Sequence, residues 1–153
     1  MNRYQVFFNL TRLEIQLWDL VDKALREQCE IPLGRFEAML VLDKMGPCRI
    51  QEISEQLVIT VGGASKLIDR VEASGYCVRT PNPDDRRSSL VSLTPEAQPV
   101  IEHAMSVIER TLQDVFDEEF TATQLQAFGQ QLLDLRQRAS AASAASAESP
   151  QSS

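Results

Sequence analysis

The sequence predicts a mainly α-helical protein with one short β-hairpin near its middle. Apolar residues recur at three- and four-residue steps through most of the chain, which is the spacing of amphipathic helices. Between residues 76 and 93 the spacing shortens to two, on either side of a polar turn that contains proline, asparagine and aspartate. With 153 residues, 43% of them hydrophobic, the chain is long enough for one packed domain, or for one domain plus an extension.

The first element is a long helix predicted over residues 4–28. Its apolar face is wider than one stripe, because Phe8, Ile15 and Trp18 lie beside the main row. A helix of this kind packs on two sides, for instance against its own domain and against a partner. Trp18 is a weak candidate for lining a ligand pocket, and packing in a core or interface is the plainer interpretation.

Three shorter helices follow. One covers about residues 33–44, and a second covers residues 51–57. Thr60 is a suitable N-cap for the third helix, predicted over residues 60–74. Gly75 fits the position after a helix where the backbone angle φ becomes positive.

A hairpin comes next. Residues 76–80 and 89–93 have the composition of short strands. The segment between them, residues 81–88, is polar and carries several charges, so the hairpin is predicted to have a charged tip.

Two helices are predicted after the hairpin. The first has its N-cap at Thr94 and extends to about residue 119. The last begins at a capping box formed by Thr121 and Gln124. Residues 139–153 are almost only Ala, Ser and Gln, so they are expected to be a frayed helix end that continues into a disordered tail.

Charge is distributed unevenly along the chain. The formal net charge is -7, which argues against a nonspecific nucleic-acid coat. Residues 60–93 nevertheless carry 5 basic and 4 acidic groups, whereas residues 94–153 carry 3 basic and 9 acidic groups. A polyanion meets a local surface patch and not the total charge, so the middle of the chain remains a candidate binding region.

Other classes of protein are disfavoured. No apolar run approaches the ~18 residues of a membrane span, and the first residues lack the pattern of a signal peptide. Cys29, Cys48 and Cys77 show no CxxC spacing; they are more typical of buried apolar residues than of redox sensors, and they indicate a cytoplasmic protein. His103 cannot form a metal site alone, and no catalytic motif is present, so neither an enzyme nor a cofactor is predicted.

The order helix, short helix, turn, helix, hairpin is that of a winged helix-turn-helix. The helix after the turn fits the major groove of DNA and presents its N-terminal side chains to base edges. The tip of the hairpin, the wing, can then reach an adjacent minor groove, where a narrow A·T-rich stretch attracts arginine.

Two segments of this region carry a recognisable signature. The first consists of Asn82-Pro83, then Asp85-Arg86-Arg87-Ser88 and the strand that follows. The second consists of residues 53–76, with Thr60 and Ser65-Lys66 at their centre. Together these segments resemble the wing and the helix-turn-helix of the MarR family of transcription regulators. The likeness extends over about residues 4–138.

The resemblance implies a homodimer. The helices of residues 1–32 and 95–138 would interlock between two chains, and two winged lobes, residues 33–94, would face one pseudo-palindromic site on double-stranded DNA. The family mostly represses transcription, and many members release DNA when a small aromatic or anionic effector binds. Gly62 and Gly63 depart from the family, which usually carries larger polar residues at these positions.

Residues expected to contact DNA come from the resemblance and from helical spacing. Arg87 matches the wing arginine that enters the minor groove, Asp85 matches its partner carboxylate, and Arg86 fits a phosphate contact. Ser65 and Lys66 lie one turn after the helix cap, where the helix should face the groove. The full predicted set is Thr60, Gly62, Gly63, Ser65, Lys66, Arg70, Asp85, Arg86 and Arg87.

Alternatives remain open at this point. The two glycines fit either a close approach of backbone to DNA or merely a tolerant first turn, and Arg70 fits either DNA contact or an ion pair within the lobe. For the whole chain, the alternatives are a winged helix that binds protein, a small all-α hydrolase or isomerase, and a transcriptional activator of the same fold.

Overall fold

The computed structural model describes residues 1–147, and these residues confirm the mainly α-helical class with a hairpin. The elements in chain order are α1 (Arg3–Cys29), α2 (Leu33–Met45), α3 (Ile50–Leu57), α4 (Val61–Ala73), β1 (Cys77–Pro81), β2 (Ser89–Leu93), α5 (Ala97–Asp117) and α6 (Ala122–Ala147). The chain divides into two compact units, residues 1–112 and the residues from 113 onward.

Local signals determine where α4 and α6 begin. The Thr60 side chain accepts a hydrogen bond from the Gly63 N–H at 3.0 Å, so the predicted cap of α4 is confirmed. The Thr121 N–H donates to Gln124 Oε1 at 2.9 Å, and the predicted capping box of α6 is confirmed as well. Gly75 has a φ of +80°, which is the left-handed conformation expected after α4.

The predicted cap of α5 is wrong. The helix begins at Ala97, three residues after Thr94. The Thr94 hydroxyl donates instead to the Gly75 carbonyl at 2.6 Å, and the Thr94 N–H donates to the Tyr76 carbonyl at 3.0 Å. These bonds join the end of the hairpin to the end of α4 and leave the hydroxyl occupied away from the N-terminus of α5.

The hairpin is antiparallel and joins the preceding helices through one further pairing. Its register runs from Cys77 opposite Leu93 to Pro81 opposite Ser89. Cys48, between α2 and α3, forms a β-bridge with Val91, with N–O distances of 3.1 and 2.8 Å. The wing is therefore anchored to the helix-turn-helix at its base, and residues 83–87 at its tip are exposed.

A single core holds the first unit together, and α2 lies at its centre. The largest fully buried side chains come from α1, α2, α3, α4, the hairpin and α5; they include Leu25, Phe36, Met39, Leu42, Ile53, Ile68, Val71, Val91 and Val107. Burial of such side chains contributes about 1.5–3 kcal/mol each, which makes this core the main source of stability.

Helix α1 leaves much of its apolar face exposed. Only Val21 and Leu25, near its C-terminal end, are buried within the described part of the chain. The exposed large apolar side chains of α1 are Tyr4, Val6, Phe7, Phe8, Leu13, Ile15, Trp18 and Leu20. The width of the apolar face predicted from the sequence is thus real, but one side of it has no cover within residues 1–147.

Helix α6 continues beyond the point where the sequence suggested a tail. It extends to Ala147, so residues 139–147 are helical in this structure, although their described side chains are exposed. Alanine has the highest intrinsic helix propensity, which explains why this alanine-rich end of α6 is helical without a packed face. Residues 148–153 of the predicted tail lie outside the described residues. Within the second unit, Phe120 stacks on Phe128 with ring centroids 5.2 Å apart.

Candidate nucleic-acid interface

Helix α4 has one buried face and one exposed face. Ala64, Ile68 and Val71 are fully buried in the core and fix the orientation of the helix. The opposite face exposes Gly62, Lys66, Asp69 and Arg70, Val61 is exposed in the first turn, and Ser65 is half-buried at the flank. The structure therefore places Gly62, Lys66 and Arg70, three of the residues predicted to contact DNA, on one exposed face.

The two acids of α4 are neutralised by an arginine that sequence reasoning missed. Arg79, on β1, lies 2.6 Å from Asp69 through its Nη2 atom and bonds Glu72 through Nη1. The Arg79 backbone N–H also donates to Glu72 at 3.1 Å. The alternation of side chains along β1 could have indicated this pairing, because it puts Arg79 on the same face as the buried Cys77.

This arrangement decides the charge that α4 presents. Burial alone would lower the pKa of Arg79, but the hydrogen bonds and charges of Asp69 and Glu72 outweigh burial and raise that pKa. Within residues 1–147, Lys66 and Arg70 have no ion-pair partner. The two cations are free to meet an external anion, and Arg70 does not form the internal pair that the sequence left open.

The two glycines of α4 differ in their surroundings. A Cβ at Gly63 would lie 3.1 Å from Oγ1 of Thr60, the hydroxyl that caps the helix. A Cβ at Gly62 would have no heavy-atom neighbour within 4 Å. Gly63 is thus explained inside the protein by the cap, whereas nothing in the described chain explains the absence of a side chain at Gly62.

The tip of the wing is ordered by hydrogen bonds around Asn82, which is buried. Asn82 Nδ2 donates to Ser88 Oγ at 3.0 Å, and Asn82 Oδ1 accepts from the Asp84 N–H at 3.0 Å. The backbone of Asn82 and Ser88 closes the loop with a bond of 3.1 Å. In the sequence Asn82 is only one residue of the signature, and the structure shows that its side chain holds the loop.

The arginines of the wing project from this ordered loop. Arg86 and Arg87 are exposed and have no ion pair within the described chain. Asp85 accepts a hydrogen bond from the Arg87 backbone N–H at 3.0 Å and does not pair with the guanidinium. Asp85 therefore shapes the turn, and both guanidinium groups stay available.

Trp18 and the cysteines are not among the residues that form this surface. Trp18 is partly exposed on α1, and it lines neither the open cleft at Met1, Tyr4 and Phe8 nor the one between Gln28 and His103. Burial raises the pKa of Cys77 to about 11, with the charge of Glu72 acting in the same direction. Burial also raises the pKa of the Cys29 and Cys48 thiols. Thiols with raised pKa are poor nucleophiles at neutral pH.

None of the helices within residues 1–147 is both long enough and apolar enough to cross a membrane. Over the same residues, no group of three or more His, Cys, Asp or Glu side chains is placed to hold a metal ion.

Comparison with known proteins identifies this region. Residues 31–89 match the model of the MarR family. The chain carries a MarR-family domain. The matched residues begin just before α2 and end at the start of β2, so the MarR-family domain includes the helix-turn-helix and the tip of the wing. The resemblance seen in the sequence is thereby confirmed.

Curated relatives are also similar to this chain. The chain is 25% identical over 101 residues to YfiV of Bacillus subtilis, named as an uncharacterized HTH-type transcriptional regulator, and the match covers 60% of this chain and 63% of YfiV. The chain thus matches less than two thirds of that relative.

Two solved structures share the fold of this chain. The first is Sco3205, a MarR family transcriptional regulator from Streptomyces coelicolor, in complex with DNA; its TM-score is 0.76 at 19% identity, with 87% of this chain and 84% of that chain covered. The second is BpsR of Bordetella bronchiseptica, whose structure concerns regulation of DNA binding by 6-hydroxynicotinic acid; its TM-score is 0.75 at 20% identity, with 86% and 92% covered.

Proposed function

We propose that this chain is a homodimeric, ligand-responsive transcription regulator, acting as a repressor, that binds a pseudo-palindromic operator in duplex DNA. The observation that carries the proposal is the pairing of Arg79 with Asp69 and Glu72. This pairing removes the acidic charge from the exposed face of α4, and Lys66 and Arg70 then dominate that face. In this assignment α4 enters the major groove and the wing reaches the minor groove.

Electrostatics supports DNA over other partners. Helix α4 and the wing tip of each lobe together offer four exposed cations without an internal ion pair in the described chain, namely Lys66, Arg70, Arg86 and Arg87. A dimer would therefore carry eight. If all eight contacted phosphates, the slope of log K against log salt concentration would approach about -7. The formal net charge of the whole chain is -7, so binding of DNA away from these lobes is unfavourable.

Dimerisation through α1 supports the same assignment. The exposed apolar residues of α1, which include Phe7, Ile15 and Trp18, are too numerous for a helix that faces only water. A second copy of the chain would cover them. Twofold symmetry would then place the two recognition helices about one helical turn, ~10 bp, apart on DNA.

A small aromatic or anionic effector belongs to the proposal by analogy with BpsR, whose DNA binding is regulated by 6-hydroxynicotinic acid. Trp18 stays a weak candidate for contacting such a ligand. Action on DNA places the regulator in the cytoplasm, in agreement with three free cysteines.

The test is DNA binding by the wild type and by Arg87→Ala, with duplex from upstream of the coding sequence and, in parallel, duplex selected from a random pool. We expect tight, salt-sensitive binding that Arg87→Ala weakens by about 1–3 kcal/mol. The matched control is Arg138→Ala, since Arg138 is exposed on α6 and is not among the residues predicted to contact DNA.

Equal affinity of wild type and Arg87→Ala would remove the wing from the interface. Failure of the wild type to select any duplex would overturn DNA binding and favour a winged helix that binds protein.

A further inference from the structure

The beginning of α4 offers an apolar side chain where many recognition helices offer a hydrogen-bonding one. Val61 is the first residue of α4, and its side chain is 53% exposed. Gly62 follows without a side chain, and the Thr60 oxygen accepts the capping bond from Gly63. From Ile59 to Ser65 the sequence contains no Arg, Lys, Asn, Gln, Asp or Glu, so the bidentate side chains that read guanine and adenine are absent from this stretch.

Two neighbours extend this apolar tip. Val58 is 83% exposed and Ile59 is 42% exposed, both in the turn that precedes α4. The Ile59 Cδ1 atom lies 4.0 Å from the point where a Cβ would stand on Gly63, so Ile59 lies against the first turn of the helix. The N-terminus of α4 therefore presents a small apolar surface that water solvates unfavourably.

The surroundings of this tip indicate its occupant. Lys66 and Arg70 lie one and two turns after Gly62 on the exposed face of α4 and carry unpaired positive charge within residues 1–147. A partner that meets both features must be a polyanion with an apolar group a few ångströms inside its charged edge. Duplex DNA has one such group in the major groove, the 5-methyl of thymine. The bare backbone at Gly62 would let Val61 come within contact distance of it.

We propose that Val61 reads the 5-methyl group of a thymine in each half-site of the operator. This inference rests on the proposed DNA-binding function and assigns part of its sequence preference to a van der Waals contact. It requires no hydrogen bond to the base, and it predicts a preference for thymine over cytosine and over uracil at that position.

The experiment uses the full-length protein and a selected operator in which thymines are replaced, one symmetric pair at a time, by 2′-deoxyuridine. This change removes the 5-methyl and keeps base pairing intact. For one pair we expect about a fourfold loss of affinity per methyl, the equivalent of exposing one methylene-sized group, and hence about 16-fold for a dimer. The Val61→Ala protein should bind the thymine operator with a similar loss of affinity. Replacement of thymine by deoxyuridine should then cause no further loss for this variant.

The matched control is Val78→Ala, the same truncation at a residue that is 42% exposed on β1. Val78→Ala should keep the full penalty for deoxyuridine. Wild-type protein that binds thymine and deoxyuridine operators equally at every position, or Val61→Ala protein that keeps the full penalty, would overturn methyl reading while DNA binding stands. Absence of wild-type binding to any duplex would overturn the proposed function itself and methyl reading with it.

Discussion

Replacing Gly62 with alanine should change stability and DNA affinity in opposite directions. Glycine in a helix is destabilising by about 0.5–1 kcal/mol relative to alanine, because it loses more backbone entropy on folding. At Gly62 the added Cβ would meet no heavy atom within 4 Å, so no clash offsets this gain. For a chain of this size, 1 kcal/mol corresponds to about 2–4 °C in Tm, and Gly62→Ala should therefore melt about 1–4 °C higher.

The same methyl group should weaken DNA binding. If α4 enters the major groove with its backbone close to the bases, an added Cβ at Gly62 stands between Val61 and the groove. We expect a loss of at least about 10-fold, or ~1.4 kcal/mol, from a displacement of the helix that weakens several contacts together.

Calorimetry and DNA titration of the same protein preparation measure both effects. Gly63→Ala is the control, since its Cβ would lie 3.1 Å from the capping hydroxyl of Thr60 and should forfeit part or all of the gain in stability. A lower Tm for Gly62→Ala, or a gain at Gly63 as large as at Gly62, would refute the steric reasoning. Unchanged affinity of Gly62→Ala would refute the close approach.

Three further predictions concern the wing, the turn and pH. Asn82→Ala removes the side-chain hydrogen bonds that close the wing and should weaken DNA binding by about 1–3 kcal/mol. The slope of log K against log salt concentration should stay the same, because no cation is lost, and a smaller slope in a salt titration would contradict this. Val58 has a φ of 56°, a left-handed conformation that costs a β-branched residue about 1–2 kcal/mol, so Val58→Asn should raise the free energy of unfolding in urea by about 0.5–1 kcal/mol, and a decrease would show that the strain is absent. Burial, and secondarily the charge of Glu14, raise the pKa of Glu37 above its usual 4.5. The folded state then holds the proton more tightly than the unfolded state, so the free energy of unfolding falls as the pH rises through the raised pKa. In urea unfolding, Glu37→Gln should therefore be more stable than wild type at pH 7, with a smaller difference at pH 4.

Regular elements were predictable because their signals are local. The period of apolar residues placed every helix within a few residues at each end, apart from the extended α6, and the spacing of β2 gave its observed bounds. Thr60 and Thr121 were recognised as caps because their partners lie three residues ahead. Such bonds form within one turn and depend little on the rest of the fold.

Long-range pairings were not predictable in the same way. Thr94 has the sequence of a cap, but its hydroxyl bonds a carbonyl nineteen residues earlier, and no local pattern shows this. Arg79 was counted only as a charge of the middle segment, and its partners Asp69 and Glu72 become visible only when β1 packs beside α4. The same limit applied to Gly62 and Gly63, which look alike in the sequence and differ only in what surrounds them.

The Arg79 pairing has a mechanical consequence in addition to its effect on charge. Glu72 holds both the guanidinium and the main-chain N–H of Arg79, so the first strand of the wing is fastened to α4 through side chain and backbone alike. We expect two elements joined in this manner to rotate together, so that a tilt of the helix carries the wing with it. In the proposed homodimer, a pair of such lobes would adjust to an operator by changing their separation, and a signal that widened it would withdraw helix and wing from both grooves in a single step.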